Sequence, residues 1–186
     1  MPGWQEFYER HKGEDFELIT VAMDIQGAEK AQPWLKKAGA TYPALVDRKN
    51  LLGGKFGFNF VPLTLLFDEQ GNMVRGPNSF NGRDQKDYAE ISRWLREGKD
   101  GLTNGAQPPA GGGFANKESE LRFKFAVGHL QNGNVTVALT QLKRALKQNP
   151  DNWLIIKQIW ALENPDRFYD GEVDYSWQRE QLRRMK

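Results

Sequence analysis

The feature that most constrains this chain is the stretch from Phe60 to Asp68, in which a proline precedes a short apolar run and a turn follows it. Residues 63–67 have the length and composition of a buried strand. Because proline cannot donate a ladder hydrogen bond, we expect Pro62 at the beginning of this strand. The Val61–Pro62 peptide bond is also a candidate for the cis isomer, since an X-Pro bond prefers trans by only about 0.5–1 kcal/mol.

The residues before this stretch alternate between helix and strand patterns. A first helix is predicted from one apolar face with three- and four-residue spacing, formed by Trp4, Phe7, Tyr8 and His11. Residues 16–22 are apolar and β-branched, which predicts a buried strand, and residues 28–38 predict a helix that ends at Gly39. A strand, a helix and a later parallel strand form a βαβ unit, so we expect parallel pairing in the sheet.

Further elements surround the 63–67 strand. Residues 42–47 look like a short extended segment, and residues 49–56 like a short helix. After the strand, a turn at residues 69–72 leads into a return strand, which predicts a hairpin. A helix over residues 84–97 then has one apolar face, which we expect to cover the sheet. That face contains Tyr88, Ile91, Trp94 and Leu95.

This order of elements, with Val-Pro-Leu-Thr leading into a strand and Asp-x-x-Gly into a hairpin, resembles the thioredoxin-like fold. More narrowly, residues 1–98 resemble the thiol-disulfide oxidoreductases of the TlpA/ResA kind and their redoxin and AhpC/TSA relatives. The resemblance implies an α/β, three-layer thioredoxin-like fold that lacks its first strand. In that family the residue before a cis-proline pairs its backbone with an extended substrate, and the proline faces the reactive cysteines. Val61 and Pro62 are the matching positions.

The sequence contains no cysteine, which excludes a thiol nucleophile, a disulfide and a thiolate metal site in this chain. In the family, Met-Pro commonly follows the Cys-x-x-Cys by a few residues, so the resemblance implies that Met1 lies just downstream of where the cysteines belong. A truncated gene and a natural relative that has lost its redox centre both fit. The resemblance further implies that the strands matching residues 16–22 and 63–67 lack the strand that normally lies between them.

The second part of the chain is predicted to be helical. Residues 99–116 are rich in Gly and Pro and predict a linker, and residues 117–186 predict a small helical module. Residues 122–150 resemble one tetratricopeptide repeat, a helix pair of about 34 residues. The matching residues are Phe125, Ala126, Gly133, Ala138, Leu142, Ala145 and Pro150. His129 replaces the usual tyrosine, and the small side chains of Ala138 and Ala145 should let the two helices approach closely.

Composition and motifs exclude several functions. The net charge of +2 gives no electrostatic footprint for nucleic acid, and no apolar run approaches the ~18 residues of a membrane span. No signal peptide is visible, and the compartment and oligomeric state stay open. His11 and His129 each stand alone in a helical pattern, so we expect no metal site and no cofactor. Serine is scarce and lacks a Gly-x-Ser-x-Gly context, so no residue qualifies as a nucleophile.

The candidate site is therefore the aromatic segment before the 63–67 strand. Phe58, Phe60, Val61 and Pro62 are the expected binding residues, because a strand end with free backbone groups and neighbouring aromatic side chains can hold an extended peptide. One hypothesis is a thioredoxin-like domain of an oxidoreductase family that is inactive without cysteines. The alternative is a non-catalytic interaction protein that binds polypeptide at this loop and at the tetratricopeptide-like helices.

Overall fold

The computed structural model describes residues 2–78, 85–102 and 113–185, and it is a mixed α/β structure in which helices predominate. Contacts divide the chain into two units, Met1–Ala115 and Asn116–Lys186. Most of the predicted linker, together with the start of the predicted 84–97 helix, lies outside the described residues. In the described parts, no helix combines the length and the apolar character that crossing a membrane requires.

The N-terminal unit alternates helices and strands. In chain order its elements are α1 (Pro2–His11), β1 (Thr20–Ala22), α2 (Ala28–Lys37), β2 (Ala44–Val46), α3 (Leu51–Phe56), β3 (Thr64–Phe67), β4 (Met73–Asn78) and α4 (Gln85–Glu97), followed by a 3₁₀ turn at Gly98–Gly101. The predicted strand over residues 16–22 was too long. Residues 16–19 are not part of a strand: the Phe16 ring packs 5.6 Å from that of Phe7 on α1. The partner strand β2 has only three residues, which pair with Thr20–Ala22.

The strands of this unit form two separate two-stranded sheets. β1 and β2 are parallel, with Val21 opposite Leu45, and α2 connects them, so the expected βαβ unit is confirmed. β3 and β4 form the expected antiparallel hairpin, with irregular register on either side of Leu66. Only Leu66 of β3 is buried, whereas Phe67 is 40% exposed. The strand is therefore less buried than the apolar run predicts, since the side chains of Thr64 and Leu65 are only half-buried and that of Phe67 is exposed.

The core of the N-terminal unit lies between α1 and α4. Phe7 and Ile91 are its fully buried centre, and the rings of Phe7 and Tyr88 stack at 5.1 Å. Partly buried side chains around them are Trp4, Phe16, Tyr88, Trp94 and Leu95. The apolar face of α4, which we expected to cover a sheet, packs against α1 at Phe7. Glu90 of the same helix also pairs with Arg75 of β4. The two helices have apolar faces of matching aromatic character, and burying them together removes both from water.

The C-terminal unit is entirely helical in its described residues. Its elements are α5 (Lys117–Gln131), α6 (Val135–Gln148), α7 (Trp153–Glu163), α8 (Asp166–Tyr169) and α9 (Tyr175–Arg184). The sequence pattern predicts helices over residues 117–131 and 135–148, and α5 and α6 have these bounds. Ala138 and Ala145 are fully buried, and Ser119 Oγ of α5 donates a hydrogen bond to the Ala145 carbonyl oxygen of α6 at 3.2 Å. The expectation of a close approach at these small residues is confirmed.

Helix caps and aromatic contacts hold the remaining helices of this unit. The buried Asn152 caps α7, since its Oδ1 accepts a hydrogen bond from the Ile155 N–H at 3.1 Å. The Trp177 ring of α9 lies 5.5 Å from that of Trp160 on α7 and 6.2 Å from that of Phe168 on α8. The aromatic residues near the chain end therefore pack within the helical unit.

Candidate polypeptide-binding site

The predicted binding segment begins where α3 ends. Gly57 adopts a left-handed conformation with φ of 70°, and its N–H donates to the Gly53 carbonyl at 2.9 Å, which terminates the helix as glycine commonly does. The Phe58 N–H donates to the same carbonyl at 3.2 Å, and the Phe58 carbonyl accepts from the Gly113 N–H at 3.2 Å. Phe58 is buried. Phe58, one of the four predicted site residues, therefore holds the segment to the rest of the unit and has little exposed surface for a partner.

The next predicted residues lie at the surface. Phe60 is 45% exposed, Val61 is half-buried and Pro62 is exposed. The Val61–Pro62 peptide bond is cis, which agrees with the expectation. Within the described residues, the Val61 N–H and carbonyl form no hydrogen bond with another protein group. The segment thus offers one donor, one acceptor and an exposed aromatic ring directly before β3.

An aromatic contact links the ends of α3 and β3, with a basic side chain beside it. The rings of Phe56 at the end of α3 and Phe67 at the end of β3 lie 5.8 Å apart in an edge-to-face arrangement. Lys55 Nζ lies 5.8 Å from the centre of the Phe56 ring, within the range of a cation–π contact. The end of α3 and the exposed end of β3 are therefore joined through an aromatic contact.

A second polar arrangement, which the sequence did not suggest, links α1 to α4. His11 Nε2 lies 3.1 Å from Ser92 Oγ, and His11 Nδ1 lies 2.9 Å from Glu14 Oε2. This is the order of groups found in Ser-His-acid triads. The residues are far apart in sequence and match no local motif. The only available signal was that His11 and Ser92 are polar residues on apolar helix faces.

The Ser92 arrangement lacks the other half of an acyl-transfer site. Ser92 lies in the interior of α4, where backbone N–H groups are used in helix hydrogen bonds. Stabilising a tetrahedral oxyanion requires free donors beside the nucleophile, and a mid-helix serine does not supply them from its own backbone. The His11 contacts are consequently best explained as a polar tie between two packed helices.

Groups suited to metal binding do not cluster. Among the residues that the structure describes, no set of three or more His, Asp or Glu side chains is arranged to hold a metal ion. His11 is engaged by Glu14 and Ser92. The residues on either side of Val61 are Phe60 and Pro62, both exposed, so this segment suits an apolar partner with backbone hydrogen-bonding groups.

Comparisons with known proteins add no family to this description. No protein-family model matches the sequence, and no curated protein or solved structure shows a significant match.

Proposed function

We propose that the N-terminal unit binds an extended polypeptide segment through main-chain hydrogen bonds at Val61, without catalysing thiol–disulfide exchange. The observation that carries this proposal is the Val61 backbone, whose N–H and carbonyl have no partner in the described residues. An extended chain presents complementary groups, and pairing of this kind is a recurrent way for proteins to bind peptides. The exposed Phe60 ring next to it supplies apolar contact, which main-chain pairing alone lacks.

We further propose a thioredoxin-like fold for residues 1–98. Its support is the order of elements: β1, α2 and β2 form a parallel βαβ unit, Val61–Pro62 precedes the β3–β4 hairpin, and α4 follows. A thiol-disulfide oxidoreductase acts through a thiolate, and the sequence has no cysteine. We therefore expect the reduction of insulin by dithiothreitol to proceed no faster with this chain than without it.

The helical unit provides a second candidate surface for polypeptide. Leu121 and Phe125 are exposed on α5, four residues apart and therefore on one side of the helix. An apolar stripe of this kind suits the side chains of an amphipathic partner. This second candidate is independent of Val61.

The test is binding of a fluorescently labelled, carboxymethylated insulin B chain, which is unfolded and contains no free thiol. We expect saturable binding by the unmodified chain and about tenfold weaker binding by Phe60→Ala, since an exposed aromatic anchor contributes about 1–2 kcal/mol. Leu51→Ala is the matched control, because Leu51 is an exposed apolar residue on α3. We expect its affinity to be unchanged.

Amide hydrogen exchange separates main-chain pairing from adhesion to an aromatic surface. Binding at Val61 should slow the exchange of the Val61 amide in the complex. Absence of binding would refute the proposal. So would an equal loss of affinity in Phe60→Ala and Leu51→Ala together with unchanged exchange of the Val61 amide.

A further inference from the structure

One edge of β1 is paired with β2, and in the part of the chain that the structure describes the Val21 backbone on the other edge forms no hydrogen bond. The Thr20 N–H donates to the Pro43 carbonyl at 3.0 Å, and the Ala22 carbonyl accepts from the Asp47 N–H at 2.8 Å. In a parallel ladder alternate residues of a strand bond to the same neighbour. Thr20 and Ala22 therefore face β2, whereas the N–H and carbonyl of Val21 point to the opposite edge.

The part of this edge that Ile19 and Val21 form has no backbone hydrogen-bonding partner in the described residues. Neither Ile19 nor Val21 forms a backbone hydrogen bond to any group beyond β2. Since residues 19 and 21 lie on the same side of the strand, the edge presents the Ile19 carbonyl followed by the Val21 N–H and carbonyl. This alternation of acceptor and donor is complementary to the backbone of one further strand.

The surroundings of this edge are those of an incomplete sheet. Parallel strands occur almost only inside larger sheets with both faces covered, yet β1 and β2 form a two-stranded parallel sheet. Ile19 is 54% exposed and Leu45 is 58% exposed. Natural edge strands are normally protected by charged residues, proline or a bulge. Residues 18–23, Leu-Ile-Thr-Val-Ala-Met, contain none of these charges and no proline.

We propose that the open edge of β1 binds one extended polypeptide segment as an added strand, with both backbone groups of Val21 as its hydrogen-bonding partners. The residues of β1 and β2 are apolar apart from Thr20. A strand added beside β1 has these side chains as neighbours on both faces of the sheet, so the segment should carry apolar side chains on both faces. The bonding requirement selects a polypeptide, since it needs donors and acceptors that repeat every second residue.

The β1 edge is a second site, separate from the Val61 segment of the function proposed above. The earlier site lies before β3 at Val61, and this one lies on β1, so each can fail alone. The Phe60→Ala variant tests the first site and leaves the β1 edge intact.

The decisive variant is Val21→Pro. It removes the outward N–H and leaves the bonds of Thr20 and Ala22 to β2 in place, and proline is tolerated in an edge strand when its nitrogen faces outward. Val46→Pro is the matched control. The Pro43 carbonyl and the Asp47 N–H face β1. Because alternate residues of a parallel strand face the same neighbour, the Val46 N–H faces away from β1, at the other edge of the same sheet.

The probe is a seven-residue peptide of valine and isoleucine with lysine at each end, compared with the same peptide N-methylated at alternate residues. Methylation removes the donors of one edge and keeps the side chains. With the unmodified chain we expect the plain peptide to bind and to slow exchange of the Val21 amide about tenfold or more. The Ala22 amide, already paired with β2, should change little. Val46→Pro should bind the peptide with unchanged affinity.

Several results would overturn the proposal. These are equal binding by Val21→Pro, equal binding of the methylated peptide, or a Val21 amide that is already protected in the free, dilute chain. A concentration-dependent dimer that Val21→Pro abolishes would instead identify a second copy as the occupant and reject a separate segment. If circular dichroism shows that Val21→Pro is unfolded, the comparison of the two peptides on the unmodified chain decides the matter.

Discussion

His11 Nε2 lies 3.1 Å from Ser92 Oγ and joins the end of α1 to the middle of α4. The same ring lies 4.4 Å from the Phe7 ring and is buried, and its Nδ1 contacts Glu14. His11 therefore contributes both packing and polar contacts to the interface between the two helices.

We predict that His11→Ala lowers the free energy of unfolding by about 2–3 kcal/mol, because it leaves a cavity beside Phe7 and removes two hydrogen bonds. Ser92→Ala should cost about 1 kcal/mol, since only one bond is lost. Urea unfolding followed by tryptophan fluorescence measures both. The exposed Lys12→Ala is the control, with an expected change within about 0.5 kcal/mol. A value that small for His11→Ala would contradict the proposed tie.

The ion pair between Arg75 of β4 and Glu90 of α4 provides a second test of the N-terminal unit. Both side chains are nearly buried, with exposures of 8% and 12%. Arg75→Met removes the cation from beside a buried carboxylate and should cost about 3–5 kcal/mol. The double variant Arg75→Met, Glu90→Leu should recover most of this loss, because no buried charge then remains. A double-mutant cycle in urea checks it, and additive losses would show that the two residues do not interact.

The third prediction concerns acid stability of the helical unit. The Asp174 carboxylate accepts from Ser176 Oγ at 2.6 Å, from the Trp177 N–H at 2.9 Å and from Arg167 Nη1 at 2.8 Å. These contacts lower the pKa of Asp174 from 3.8 to about 2. A lowered pKa means that the stabilisation is fully present above pH 3.8 and is lost as the pH falls towards 2.

Asp174→Asn should therefore be less stable than the unmodified chain at neutral pH, and the difference should shrink as the pH falls through this window. Urea midpoints at several pH values measure the difference. A carbon NMR titration of the Asp174 carboxyl group should give its midpoint directly. Asp174 is the N-cap of α9. A stability difference that stays constant as the pH falls to about 2 would show that this cap does not depend on the ionised carboxylate.

The parts of the fold that local sequence determines were predicted well. α5 and α6 have clear apolar patterns and a glycine turn at Gly133, where φ is 75°, so their bounds follow from nearby residues. β1 was predicted too long because its length depends on β2, which lies elsewhere in the chain. The element that packs on the apolar face of α4 also depends on distant parts of the chain, since periodicity identifies a buried face without identifying what covers it.

Within the candidate site, local sequence predicts the proline and the strand that follows it, and the binding role of its residues stays a prediction. The position of Pro62 before β3 agrees with the sequence pattern, because proline and the apolar run fix the strand start. The sequence left open whether Phe60 is a core or a surface residue, and in the structure it is 45% exposed. Phe58 was included among the binding residues, but its carbonyl accepts from Gly113, a contact that no local pattern reveals. The open edge at Val21 depends on which alternate residues face β2, so it required the register.

The last prediction tests the close approach of α5 and α6. Ala145 is fully buried, and its carbonyl receives the Ser119 hydroxyl at 3.2 Å, so little room exists for a larger side chain at this crossing. Ala145→Leu should lower the free energy of unfolding by about 1–3 kcal/mol through overpacking. Thr140→Leu introduces the same side chain at an exposed position of α6 and should be within about 0.5 kcal/mol of the unmodified chain. Thermal unfolding by circular dichroism compares the two, and equal melting temperatures would mean that the helices separate at Ala145 without cost.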